Sequence, residues 1–263
     1  MAPASATAGR GRRHRTRRGA ALVALASAIL TTHGSRAAPA REPTQDAAAL
    51  TAYKARYQVS YRGLSGGQIE SSLRPGETAG LWLYETRAFP NLLGRVAVSP
   101  KARERSSMQL MDDGQVRPLA FTFDDGSTEA AKDVRLTFDW TANRVRGQAA
   151  GKPVDLDIPA GTQDTASVQA AMLAALLAGR EPSGYPIVTG NKLRHYRYWS
   201  EGPATVVTPY GQYDAVVWAS QRDGSTRVTR VWHAPALGYL PVQALQYRKG
   251  QLEVQMRLVS LER

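Results

Sequence analysis

Apolar and polar residues alternate one for one along most of this chain, and Gly, Pro, Asn and Asp break the runs. Tyr57, Val59 and Tyr61 alternate with Gln58, Ser60 and Arg62. Leu119, Phe121 and Phe123 do the same. So do Val134, Leu136, Phe138 and Trp140, and finally Leu252, Val254, Met256 and Leu258. A period of two marks strands with one buried face. Between Ala204 and Tyr247 the pattern is densest: runs rich in Val, Tyr, Trp and Thr, broken at Pro-Tyr-Gly, Asp-Gly and Ala-Pro-Ala-Leu-Gly, predict an antiparallel meander. Gln68–Leu73, Leu81–Ala88 and Ser106–Met111 are further strands. Gly63 to Gly67 reads as a turn, and residues 91–101 fit neither period.

One segment has helical spacing. From Thr165 to Ala178, Val168, Met172, Ala175 and Leu176 share a face that Leu173 and Leu177 widen. Thr162 and Asp164 are placed to cap its start, and Gly179 its end. The expected fold is mostly β: a curved antiparallel sheet or half-open β-barrel with one covering α-helix at about residues 165–178.

Charge changes the picture only at the N-terminus. Of the net +12, seven charges are arginines within the first 40 residues, which hold no acid; setting them aside leaves +5. These residues read as a basic region, an apolar run Gly19–Leu30 and a small-residue tail, the pattern of a secretory signal peptide. A nucleic-acid-binding arm is the lesser reading, because the apolar run follows directly. Cleavage after Ala37 or Ala40 fits the small-x-small rule. Arg17-Arg18 raises twin-arginine export, but no Phe follows, so the Sec route is favoured. The expected organisation is a signal peptide at 1–40, a linker at 41–52 and a single β-rich domain at 53–263, located in the periplasm. No later apolar run reaches membrane-spanning length. With no cysteine there is no disulfide, thiolate or lipid-anchoring cysteine.

Candidate chemistry is sparse. The mature chain has two histidines, His195 and His233, with no short ligand spacing between them, so no metal is expected. No nucleophile elbow, phosphate loop or dinucleotide fingerprint occurs, and no cofactor is expected. Asp112-Asp113 and Asp124-Asp125 precede Gly and read as turns rather than calcium ligands. Aromatics on strands are the more informative set. Trp140, Trp199, Trp218 and Trp232, with His233, could line a ligand groove; the competing reading is a core of cross-strand aromatic pairs.

Several short motifs in order resemble a known family. They are Tyr57-Gln58-Val59-Ser60-Tyr61 with Gly66-Gly67, Val116-Arg117-Pro118-Leu119, Phe138-Asp139-Trp140, and Gly161-Thr162-Gln163-Asp164 with Ser167. Thr208-Pro209-Tyr210-Gly211-Gln212-Tyr213, Trp232-His233-Ala234-Pro235 and Leu240-Pro241-Val242 follow. Together they resemble the bacterial exported domain-of-unknown-function family number 3108 over nearly all of the mature chain. The resemblance implies an envelope protein without assigned activity or catalytic residues. Its strand-rich pattern is similar to the half-open barrels of lipoprotein-localisation carriers, which hold acyl chains.

Three functions are open on these grounds. The first is a non-enzymatic binding or carrier protein for a lipid or other apolar envelope ligand. The second is an envelope assembly or structural factor acting through protein contacts. The third is a hydrolase pairing His233 with a carboxylate such as Asp164, which requires the two within hydrogen-bond reach.

Overall fold

The computed structural model describes residues 50–129 and 131–263. The expected signal peptide, its cleavage sites and residues 41–49 lie outside the described residues; Leu50 already packs into the core.

The first arm of the chain is a run of hairpins: β1 (Tyr53–Tyr61), β2 (Leu64–Pro75), β3 (Leu81–Pro90), β4 (Arg103–Leu110), β5 (Val116–Asp124), β6 (Val134–Asp139), β7 (Arg144–Ala149) and β8 (Lys152–Asp157). After the two-residue β9 (Gln163–Asp164) comes the helix α1 (Ser167–Leu177). A second arm follows: β10 (Gly184–Thr189), β11 (Lys192–Thr208), β12 (Gly211–Arg222), β13 (Arg227–Ala234), β14 (Leu240–Arg248) and β15 (Gln251–Glu262). All fifteen strands form one sheet, ordered β8-β7-β6-β5-β4-β3-β2-β1-β15-β14-β13-β12-β11-β10-β9. Every pairing is antiparallel except β9 with β10. The sheet is not closed: β8 and β9 remain its edges. Curvature brings β4, β5 and β9 against α1 from different parts of the sheet.

Two sequence expectations change. Gly63 to Gly67 is not a turn throughout; only Arg62-Gly63 turns, with φ of +49° and +81°, and β2 starts at Leu64. Gly66-Gly67 instead lets β2 approach its neighbour, because a Cβ on Gly67 would sit 2.3 Å from the Phe89 carbonyl oxygen. The helix is not two-faced. Ser167, Val168 and Ala170 to Leu176 are all buried, so α1 is wrapped by the sheet rather than laid over it.

The entry of α1 is pinned to β4 and β5. Asp164 Oδ1 accepts the amides of Ala166 (2.8 Å) and Ser167 (2.7 Å), while Ser167 Oγ accepts the Asp164 amide at 2.9 Å. Asp164 therefore satisfies orphan amides at the helix start. Ser106 Oγ on β4 donates to Asp164 Oδ2 at 2.7 Å, and Gln163 Nε2 donates to the Val116 carbonyl at 2.8 Å. At the far end Gly179 is left-handed (φ +64°). Its amide meets the Leu176 carbonyl at 3.1 Å, and Arg180's meets Ala175's at 2.8 Å, a Schellman closure.

Candidate functional site

A cavity of about 270 Å³ lies between the N-terminal half of α1 and the concave face of the sheet. Val168 and Met172 of α1 form one wall. Tyr57 and Tyr84 come from the first arm, Trp218 and Met256 from the second, and Val98 from the loop between β3 and β4. That loop carries a single 3-10 turn, Gly94–Val96, in the stretch that fitted neither period.

Strand alternation decides which predicted residues reach the cavity. Trp218 and His233 line it. Trp199 follows the lining Tyr198, and Trp232 lies between lining residues Val231 and His233, so both fall on the opposite face. Trp140 lies just past the end of β6. Its indole donates to the Pro118 carbonyl at 2.7 Å, and the Arg117 guanidinium lies over its ring. Trp140, Trp199 and Trp232 are thus absent from the cavity wall.

His233 is buried, and its Nδ1 is 2.8 Å from the Tyr239 carbonyl oxygen, which fixes Nδ1 as the protonated nitrogen. Burial pushes its pKa down to about 4. Asp164 does not meet it. Both of its carboxylate oxygens are held by Ser106, Ala166 and Ser167, and it is not part of the cavity wall. The His233–Asp164 pair expected for a hydrolase is not assembled.

Sequence patterning missed the polar inventory of the cavity. Among the described residues, Glu104 is the only acid in its wall. It accepts a hydrogen bond from Thr165, which ties β4 to the start of α1. Burial, with the nearby Asp164 carboxylate adding, pushes Glu104 up to about 7. Burial likewise raises Asp164 to about 6. The signal was present: Glu104, Ser106 and Met108 share the inward face of β4, with Ala102 just before it, but starting that strand at Ser106 left Glu104 out. Across the other arm, Tyr198, Ser220, Thr229 and Gln246 are register partners in one row, and all four line the cavity. In this region Thr229 Oγ1 and Trp218 Nε1 are buried without a hydrogen-bond partner.

Outside the cavity, the carboxylates of Asp124, Asp125 and Asp133 gather within 4.8 Å of one another. Their contacts are those of a turn. Asp124 accepts the Gly126 amide (2.7 Å), Asp125 the Ser127 amide (2.9 Å) and Asp133 the Asp125 amide (3.1 Å).

The fold and cavity define a class: a β-rich domain whose unclosed sheet wraps one buried helix and leaves a largely apolar pocket beside it. The profile of the family described as "Protein of unknown function (DUF3108)" matches residues 56–257, and the chain belongs to that family. No curated protein matches the sequence. Among solved structures, it is similar to a chain of the Pseudomonas aeruginosa MucA/MucB complex. Identity there is 13%, over 80% of this chain and 51% of that one, with a TM-score of 0.35. It therefore spans about half the length of that chain. It is also similar to a lipoprotein candidate from Parabacteroides distasonis, at 11% identity over 81% and 96% of the two chains, TM-score 0.35. An exported-protein candidate with a YmcC-like fold from Bacteroides fragilis gives 11% identity over 80% and 95%, TM-score 0.31. None of these three likenesses bears on the site. No helix among the described residues is long and apolar enough to cross a membrane.

Proposed function

We propose that this protein is exported to the periplasm and acts there as a non-enzymatic binding or carrier protein for an apolar or amphiphilic envelope ligand. The observation that carries this is the 270 Å³ cavity, walled mainly by apolar and aromatic side chains from both arms and the helix. Its size is near the lower end of ligand pockets, about 300–1,000 Å³. That suits a single chain better than a multi-acyl lipid. Native mass spectrometry of the mature protein, with organic extraction alongside, tests the reading. A lipid-sized adduct supports it. A clean apo mass, with no uptake of added fatty acid, overturns it.

A second reading, an envelope factor acting through protein contacts, is favoured by one surface feature. Leu92, Leu93 and Val96 on the β3–β4 loop are 83%, 64% and 91% exposed. The sheet edges do not favour it: β9 has two residues, and β8 is short and carries Pro153, Lys152 and Asp155. Photocrosslinking from position 96 in the periplasm distinguishes the two readings. A discrete protein adduct would move weight to this one.

A further inference from the structure

We propose that the cavity opens onto an anion site built by Arg194, Arg222 and Arg227, which takes the carboxylate or phosphate headgroup of an amphiphile whose chain lies in the cavity. The chain's placement rests on the carrier reading; the anion site rests on its own residues.

The arginines are located by register. Tyr196 and Tyr198 on β11, Ser220 on β12 and Thr229 on β13 all line the cavity. One inward-facing position further along each strand, beyond the row that Tyr198, Ser220 and Thr229 share, stand Arg222 and Arg227, with Arg194 beyond Tyr196. Tyr196 and Arg222 are direct register partners. Burial raises the pKa of the Tyr196 phenol, and Arg222, Arg194 and Arg227 each act to lower it, in keeping with their placement by register around it. All three side chains are half-buried.

The charge here is not balanced. Several arginines on the outer face have close acids: Arg56 with Glu70 at 2.8 Å, Arg105 with Glu85 at 2.8 Å, Arg144 with Asp155 at 2.9 Å and Arg230 with Glu201 at 2.6 Å. At the rim, Arg194 and Arg222 have no ion pair among the described residues. Arg227 Nη2 stands 3.9 Å from Glu253, whose other oxygen is held by Arg62 at 2.8 Å. Arg227 Nε is buried with no hydrogen-bond partner. Just inside, Thr229 Oγ1 and Trp218 Nε1 are also unpartnered, each in a residue only 4% exposed. Buried polar atoms are seldom left unpaired, and guanidinium forks match carboxylate and phosphate oxygens. Three other charged groups face the cavity or its arginines: Arg103 and Glu104 line the far wall from β4, and Glu253 stands beside Arg227; Asp223 pairs with Arg197 at 3.4 Å instead. An anion at the rim, with its apolar chain between Trp218, Met256 and Met172, answers both the unpaired donors and the apolar walls.

The test uses the mature protein with dodecanoate, dodecyl phosphate, dodecyltrimethylammonium, dodecanol and inorganic phosphate, read by calorimetry at fixed ionic strength. The expected result is that the two anionic amphiphiles bind at least about tenfold more tightly than the cationic one. Arg222→Gln/Arg227→Gln should remove that preference and leave dodecanol binding unchanged. Equal affinity for all headgroups, or a double variant that keeps the preference, overturns the anion site while the carrier reading stands. Inorganic phosphate binding as tightly as dodecyl phosphate, and lost in the double variant, supports the arginine site but overturns the amphiphile and with it the carrier reading. If the double variant does not fold, Arg194→Gln and the wild-type headgroup series decide the matter alone.

Discussion

The Tyr57 hydroxyl on β1 donates to the Pro241 carbonyl on β14 at 2.9 Å, reaching across the intervening β15. It is a side-chain tie over the concave face, where the two arms of the sheet meet. Tyr57→Phe keeps the ring and removes the donor. It should cost about 1 kcal/mol in urea unfolding. Tyr61→Phe, at an exposed ring on the same strand, should change stability by less than about 0.5 kcal/mol.

Gly67 and Gly63 separate two uses of glycine. Both have positive φ, but a Cβ at Gly67 meets the Phe89 carbonyl oxygen, whereas at Gly63 nothing lies within 4 Å. Gly63→Ala should cost only the left-handed strain, about 1–2 kcal/mol. Gly67→Ala must also part β2 from β3, and its thermal midpoint should fall clearly below that of Gly63→Ala in the same scan.

Glu104 sets the direction of one pH dependence. Its folded pKa, about 7, is above the ordinary 4.5, so the folded state binds this proton more tightly than the unfolded chain. Its contribution is largest below pH 4.5 and is lost as pH rises towards 7, by at most about 1.4 kcal/mol per unit. Asp164 acts in the same direction between 3.8 and about 6. His233 opposes them. Its contribution is full above 6.5 and is lost as pH falls towards about 4. Between pH 6.5 and 8, Glu104 therefore has more folded-state proton left to lose than Asp164, and His233 opposes it only at the lower end of the range. Urea titrations should show stability falling over that range in the wild type and not in Glu104→Gln.

Trp218 should report ligand entry, and Trp199 should not. If a brominated fatty acid fills the cavity, its quenching should be strongly reduced in Trp218→Phe and retained in Trp199→Phe. Equal quenching in the two variants would put the ligand elsewhere.

The strands and their turns were largely legible from period-two alternation, since each strand has one wet face. Helix α1 was located by its spacing and by Gly179, but its burial on all sides was not. A segment rich in alanine looks one-sided until the sheet is seen to wrap it. The cavity was hardest to read. Alternation assigns a residue to a face but not to concave or convex, so five aromatic and histidine positions were proposed and only Trp218 and His233 line the cavity. Arg194, Arg222 and Arg227 lie far apart in sequence, and only the register of β11, β12 and β13 relates them, through Tyr196↔Arg222 and Ser220↔Thr229.

The sheet order also makes a demand on time. Strand neighbours are consecutive along the chain except at one seam, where β1 pairs with β15 and Tyr57 lies opposite Leu258. That seam is in the middle of the sheet. Losing the 12 residues of β15 would divide the sheet, whereas losing β8 would only trim a border. Each arm can pair locally as it is made, but the seam closes last. A chain that emerges from its N-terminus therefore cannot complete its cavity until β15 arrives.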